Sequence, residues 1–429
     1  MGRGRGSAPG RLDFLGGVSD YSGALVLEAA IQLETRVTIE GRKEEEGQDG
    51  NNELVVEVES VQFPGTEAVV LGLRDLEAKA RESLERVRLH LSSRGAPKWS
   101  SYVLGTLSSF CRYLGRFPTE SIRVVVDSDV PHGQGVSSSA SVEVAVVRAL
   151  RDYFEVEEEE SLDLARLAQR AENEVVGAPC GIMDQVACLF GTHGAVLPIN
   201  CASVSLSDLV YLPDDIVLVG FPTRVQHDLA GEYTPYERAR TATAMAAKIA
   251  QTCPNSPEIR SLSDIGCLSL SKFEACVKPL LPKTLSGSAF LAKYEGVGEI
   301  DALSRVKPDE EYPVLDAMEF AVQASLFAGI ALSLLESNAF SEKAVQDKAL
   351  AQVGELMLLQ HQSYNKIGLG HVLTDSIIDL LMSFGPGNGI YGARSSGGGS
   401  GGTICILCNE AALPIIENIA KEYKIELIL

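Results

Sequence analysis

The sequence has no uninterrupted apolar run of about 18 residues, the length a membrane-crossing helix needs. A transmembrane span is therefore not expected. Basic residues are also scarce: 37 Lys and Arg stand against 58 Asp and Glu, for a net charge of −21. That balance argues against non-specific binding to nucleic acid or to an anionic membrane. It also means that any anionic ligand must be held by local donors rather than by global attraction. The nine cysteines are odd in number and lack framework spacing, as expected of a reduced, cytoplasmic protein. The N-terminal MGRGRGSAPGR carries basic residues but no apolar stretch behind them, so it does not read as a secretory signal. Internal repeats and long low-complexity linkers are absent.

What is present is an alternation of β and α patterns typical of an α/β protein, over a length that suggests two or three domains. Strands are expected over Leu54–Val61, Ile122–Val126 and Thr403–Leu407. Cys405 and Cys408 form a lone CxxC in the last of these, where residues three apart face opposite ways, so a metal or redox role is not expected. Apolar residues at helical spacing predict helices over Arg74–Leu91, Ser161–Val176, Pro235–Ile249, Pro313–Leu335, Asp347–Lys366 and Ala411–Tyr423. The charged stretches Arg42–Glu53 and Glu157–Glu160 read as solvated loops or a helix start. Turn chemistry in Leu212–Asp215 suggests a boundary that divides the chain into 1–212 and 213–429.

The most informative segment is PHGQGVSSSASVEVAVVRAL, from Pro131 to Leu150. Gly133 and Gly135 permit turns closed to other residues and let a ligand approach the backbone. Serines and a helix-forming run follow. A helix N-terminus offers unpaired N–H groups and a positive dipole end to a polyphosphate, and serine hydroxyls can meet phosphate oxygens or a hard cation. The segment is not the common GxxxxGK[ST] loop, because no lysine follows the glycines. A glycine turn capped by serine is the plainer alternative. A second glycine-rich stretch, YGARSSGGGSGG from Tyr391 to Gly402, lies between apolar segments, where close backbone approach is favoured over a flexible linker.

Two further segments place charge in apolar company. Asp184 lies in GAPCGIMDQ, where a carboxylate is costly without a partner; the alternative is a helix-capping role. Arg11, Asp13 and Asp20 interrupt the apolar, glycine-rich GRLDFLGGVSDYSG. The Arg11 fork suits a phosphate or a carboxylate, so a structural salt bridge is the competing reading.

In their order, Gly10–Gly23, Pro131–Ser141 and Gly392–Gly402 resemble the three motifs of the small-molecule kinases named after galactokinase, homoserine kinase, mevalonate kinase and phosphomevalonate kinase. The Gly177–Gln185 segment is similar to the galactokinase branch. Within that branch the chain most resembles the L-arabinokinases. Gly17 and Val18 stand where galactokinases carry a Glu-His pair, Ser400 replaces their usual Phe, and Gly354–Gly370 resembles an arabinokinase helix ending in SY…GLG. The resemblance implies a two-lobed α/β fold with its active site between the lobes, with ATP and Mg²⁺ in use. It implies Asp184 as catalytic base with Arg11 beside it, and Ser139 and Glu172 as metal ligands. Sugar contacts are implied at Asp20, Gly17, Val18, Gly181 and Tyr233, with Tyr236 as the alternative to Tyr233. ATP contacts are implied at Gly133, Gln134, Gly135, Val136, Ser137, Ser138, Ser139 and Ala140, and at Gly398 and Gly399 in a stretch, Gly397–Gly402, whose N–H groups close over the ligands. The expected activity is phosphorylation of a monosaccharide at its anomeric hydroxyl, with galactokinase activity or a non-catalytic sugar sensor as alternatives. Nucleic-acid and membrane partners are not expected.

Overall fold

The computed structural model describes residues 2–42, 53–62, 67–157, 160–225, 234–252, 257–294, 301–336 and 342–429. Most of the charged stretch Arg42–Glu53, and part of Glu157–Glu160, lie outside the described residues. By contacts the chain forms two compact units. The first comprises Met1–Gly10, Ile31–His132 and Ser137–Phe190; the second comprises Arg11–Ala30, Gly133–Val136 and Gly191–Leu429. Residues Gly191–Leu212 thus group with the C-terminal part of the chain, as do the first motif and the glycines at 133 and 135.

In the first unit, Ser121–Ser128 is the central strand. It runs parallel to Val55–Ser60 and antiparallel to Thr35–Arg42. Ile122, Val124 and Val126 alternate onto one buried face, while Arg123 is partly exposed; this is the period-two pattern of a strand with one face on a core. Lys98–Leu114, Ser138–Tyr153 and Leu162–Arg170 are helices that pack on one another. The helix expected over Arg74–Leu91 is two helices, Leu73–Glu82 and Leu84–Ser93. Ser83 breaks the run: its backbone is extended and its hydroxyl accepts from the Arg86 N–H at 3.2 Å. A local side-chain cap here outweighs the helical spacing of the apolar residues. Likewise, Ser161–Val176 is helical only in part as expected, because Ala171–Val176 widens into a π-helical turn.

In the second unit, Ile390–Ser395, Thr403–Asn409 and Ile216–Pro222 form an antiparallel sheet with Thr403–Asn409 in the centre. Ile404, Ile406 and Cys408 share one apolar cluster, and Cys405 lies at the opposite parity. Burial pushes the Cys405 thiol up and the Cys408 thiol up to about 12, which suits inert core cysteines. Helices Pro235–Gln251, Val314–Glu336 and Lys343–Ile367 pack together. Thr234 and Glu237 start the first of them as a capping box. Val314–Glu336, expected as a helix over Pro313–Leu335, is by length and composition apolar enough to cross a membrane, with a window of mean hydropathy 1.6. Asp316 and Glu319 interrupt it, so it holds no uninterrupted apolar run of about 18 residues. Val314, Met318, Phe320 and Val322 of this helix belong to the unit's apolar core, and a buried core helix passes the same length test.

Candidate active site

The helix Ser138–Tyr153 begins at Ser137, whose left-handed backbone (φ 56°) is rare for a residue with a side chain. No side chain caps this N-terminus, and the buried Ser137 hydroxyl has no hydrogen-bond partner. Uncapped first-turn N–H groups together with an unpaired buried hydroxyl are what an anion can satisfy. Ser138, Ser139 and Ala140 form the first turn.

Glu172 meets this turn from the π-helical segment, a distortion that recurs at functional sites. Its carbonyl accepts from the N–H groups of Gly177 and Ala178, at 2.9 and 3.1 Å. Its carboxylate bonds to the Ser139 and Cys180 side chains and to Gln185, whose Nε2 donates at 2.7 Å. Asp184 sits in the first turn of helix Met183–Phe190, where the helix dipole favours a carboxylate. Gly181 follows Cys180, and Asn173 fastens Cys180 by accepting from its N–H at 2.8 Å and donating to its carbonyl at 3.3 Å. Glu143 completes this acidic group. It is fully buried, and the same Gln185 Nε2 donates to it at 3.1 Å.

Three carboxylates are crowded together here, and their electrostatics show it. Burial, and then the charge of Asp184, lift Glu172 to about 7. Burial and the neighbouring Glu172 hold Glu143 well above the usual carboxylate range. Among the described residues, no three His, Cys, Asp or Glu side chains form a metal-holding group. Two oxygens, from Ser139 and Glu172, suffice for Mg²⁺ when substrate phosphates and water supply the rest. The raised Glu172 fits such a counter-charge.

In the second unit, Arg11 donates from Nη1 to the Gly135 carbonyl at 2.8 Å, and its Nε lies 3.1 Å from Glu28 Oε2. The structural salt bridge anticipated for Arg11 is therefore present, in a pair buried on both sides. Gly133 and Gly135 adopt φ of 68° and 71°, and the Val136 carbonyl accepts from the Arg11 N–H at 3.1 Å. Gln134 is fixed by both its ends: its carbonyl accepts from Thr403 Oγ1 at 2.6 Å, and its Oε1 accepts from the Arg224 N–H at 3.1 Å. The buried Asp20 carboxylate accepts from the Tyr21 N–H at 2.8 Å.

Gly17 has φ 61°, and a Cβ there would lie 2.3 Å from Tyr364 Oη and 2.9 Å from Arg394 Nη2. Tyr364 and Arg394 thus occupy the space a side chain at 17 would need. Val18 points into the apolar core with Tyr21, Tyr236 and Met245. Tyr364 Oη accepts from the Val18 N–H at 2.9 Å and donates to the Gly397 carbonyl at 2.7 Å. Asp13 accepts from the N–H groups of Gly17 and Gly397 and from Arg394 Nη1, the last at 2.7 Å. These bonds tie the first motif to the third. They also correct one expectation. Within Gly397–Gly402, the N–H groups of Gly397, Ser400 and Gly402 are already taken, by Asp13, Leu369 and Val225 respectively. Gly398 and Gly399 are not among those engaged.

Tyr233 lies outside the described residues. Its alternative, Tyr236, sits edge-on to Tyr21 with ring centroids 6.0 Å apart. The sequence reading passed over Glu28, Glu143, Gln185, Tyr364 and Arg394. Glu28 and Glu143 carried one usable signal, a lone carboxylate inside an apolar run.

Family profiles match residues 3–40 (galactokinase galactose-binding signature), 101–192 (GHMP kinases N terminal domain) and 341–425 (GHMP kinases C terminal). The chain is 29% identical to an L-arabinokinase of Arabidopsis thaliana over 93% of its own length, and spans 42% of that protein. It is also 29% identical to the galactokinase of Homo sapiens, covering 97% of this chain and 87% of that one. The crystal structure of Lactococcus lactis galactokinase complexed with galactose superposes with a TM-score of 0.73 at 21% identity, over 99% of this chain and 92% of that one. The Methanococcus jannaschii mevalonate kinase follows with a TM-score of 0.59 at 15% identity, over 99% and 96% of the two chains. With its fold, its three motifs and these matches taken together, the chain belongs to the GHMP kinase family, in the galactokinase branch.

Proposed function

We propose that this chain is an ATP-dependent sugar 1-kinase, which moves the γ-phosphoryl group of ATP to the anomeric hydroxyl of a monosaccharide and prefers L-arabinose to D-galactose. The observation that carries the proposal is the meeting of Glu172 with Ser139 at an uncapped helix N-terminus, with Asp184 beside them. The described cysteines are free thiols, which fits a cytoplasmic setting.

Phosphoryl transfer is mostly positioning and charge stabilisation. Ser137–Ala140 and the glycine turn before them would hold the phosphates with N–H and hydroxyl donors. Asp184 would take the proton from the sugar's anomeric oxygen as that oxygen attacks the γ-phosphorus. ADP leaves as the P–O bond to the β-phosphate breaks. Arg11 would balance charge as it builds on the transferring group. Ser139 and Glu172 would hold Mg²⁺, which when bound offsets the phosphate charge. Asp20 would accept hydrogen bonds from sugar hydroxyls, and Gly181 would let the sugar approach the backbone.

The sugar preference rests on positions 17 and 18. L-Arabinose matches D-galactose around the ring but lacks its hydroxymethyl group. Gly17 has no side chain and Val18 is committed to the core, so neither offers a hydrogen bond to a hydroxymethyl. Tyr364 Oη and Arg394 Nη2 already fill the space beside Gly17, and a hydroxymethyl that is left unpaired there costs about 1–3 kcal/mol. A site that gives an added hydroxyl no partner rejects it by about 10²-fold at most. Side-by-side kinetics should therefore give kcat/KM about 10- to 100-fold higher for L-arabinose. Equal values, or a preference for D-galactose, would remove the arabinose assignment and leave the sugar-kinase assignment standing.

A further inference from the structure

We propose that Glu143 and Gln185 are positioning residues, forming a buried relay that sets where the Glu172 carboxylate stands relative to Ser139. The inference rests on the reading of Ser139 and Glu172 as metal ligands.

The geometry is specific. Glu143 follows Ser139 by four residues on the same helix, so both side chains lie on one face, a turn apart. Gln185 follows Asp184 directly on a second helix, and Glu172 comes from the π-helical segment. A single amide nitrogen joins the three elements: Gln185 Nε2 donates to Glu143 Oε2 at 3.1 Å and to Glu172 Oε2 at 2.7 Å. Its two hydrogens are thereby shared between the two carboxylates. Glu143 and Gln185 are both 0% exposed, and neither Glu143 Oε1 nor Gln185 Oε1 has a hydrogen-bond partner. Burying a carboxylate and a carboxamide this deeply is costly, and an apolar pair would fill the same space at lower cost. What the polar pair adds is direction. Glu143 holds the Gln185 amide in one orientation, and the amide then fixes one Glu172 oxygen. Groups that orient a metal ligand in this way typically contribute ~10–100-fold to metal affinity or activity.

The test compares Glu143→Met, Gln185→Met and Glu143→Gln with Ser139→Ala and Glu172→Gln. Methionine keeps length and apolar volume while removing the hydrogen bonds. Two readouts are taken: the Mg²⁺ midpoint of ATP turnover, and Mn²⁺ binding followed by electron paramagnetic resonance with a non-hydrolysable ATP analogue. Ser139→Ala and Glu172→Gln should weaken metal use in both. Glu143→Met and Gln185→Met should raise both midpoints by about 10-fold or more. Glu143→Gln, which keeps an acceptor oxygen, should stay within about 3-fold of wild type. Should a methionine variant not fold, Gln185→Asn, one methylene too short to span both carboxylates, takes its place with the same expected shift. Methionine variants that melt at lower temperature but bind metal like wild type would overturn the relay while the ligand reading stands. Wild-type midpoints in Ser139→Ala and Glu172→Gln would overturn both.

Discussion

Asp184→Asn is expected to lower kcat by about 10²–10⁴-fold while leaving ATP binding in place. Asparagine keeps the shape of the side chain and its position in the first turn of Met183–Phe190, but an amide cannot take the proton of the attacking hydroxyl. The size of the effect follows from what a positioned base contributes to proton transfer. Asp184 is close enough to Glu172 and Glu143 for its charge to raise both. Single-turnover measurement with saturating ATP and sugar isolates the chemical step. A variant that keeps more than about a tenth of wild-type kcat contradicts the base assignment.

Asp13→Ala should cost about 3–5 kcal/mol of stability, the usual result of removing one partner from a buried ion pair. Asp13 and Arg394 are both 0% exposed, and Arg394 Nη1 reaches the Asp13 carboxylate at 2.7 Å and its carbonyl at 2.9 Å. Without the carboxylate, a guanidinium stays buried with no counter-charge, and the N–H groups of Gly17 and Gly397 lose their acceptor. Replacing both partners with apolar residues, as in Asp13→Leu with Arg394→Met, should be less damaging than Asp13→Ala alone, because no charge is then stranded. Urea unfolding of the three proteins measures this. A single variant within about 1 kcal/mol of wild type would show that the pair is not a major support.

These residues mark the limit of what the sequence could show. The Ser137–Ser139 turn and its helix were legible because their chemistry is contiguous: glycines, serines and a helix-forming run follow one another. The alternation of Ile122, Val124 and Val126 was legible for the same reason. Ser83 was misread because apolar spacing reports which face is buried and is silent on whether a serine will cap. The helix Val314–Glu336 was legible over Pro313–Leu335 from its apolar spacing, although isolated carboxylates break its apolar run. Asp13 and Arg394 are 381 residues apart, and nothing in a single chain pairs them. Glu143 sits in a helix whose other charged residues, Arg148, Arg151 and Asp152, are all at least partly exposed, so its burial emerges only once Gln185 and Glu172 are seen against it. That Arg11 has a carboxylate partner could not be read from GRLDFLGG, because Glu28 supplies it from a separate strand.

The measurement that tests the account most directly is ADP release by the purified protein with ATP and Mg²⁺, with and without each of a panel of monosaccharides, and the product followed by phosphorus NMR. The account predicts little ADP without sugar, rapid release with L-arabinose, slower release with D-galactose, and one phosphate ester at the anomeric carbon for each ADP formed. ADP release that is the same with and without sugar, or no turnover with any sugar although both ATP and sugar bind, would contradict it.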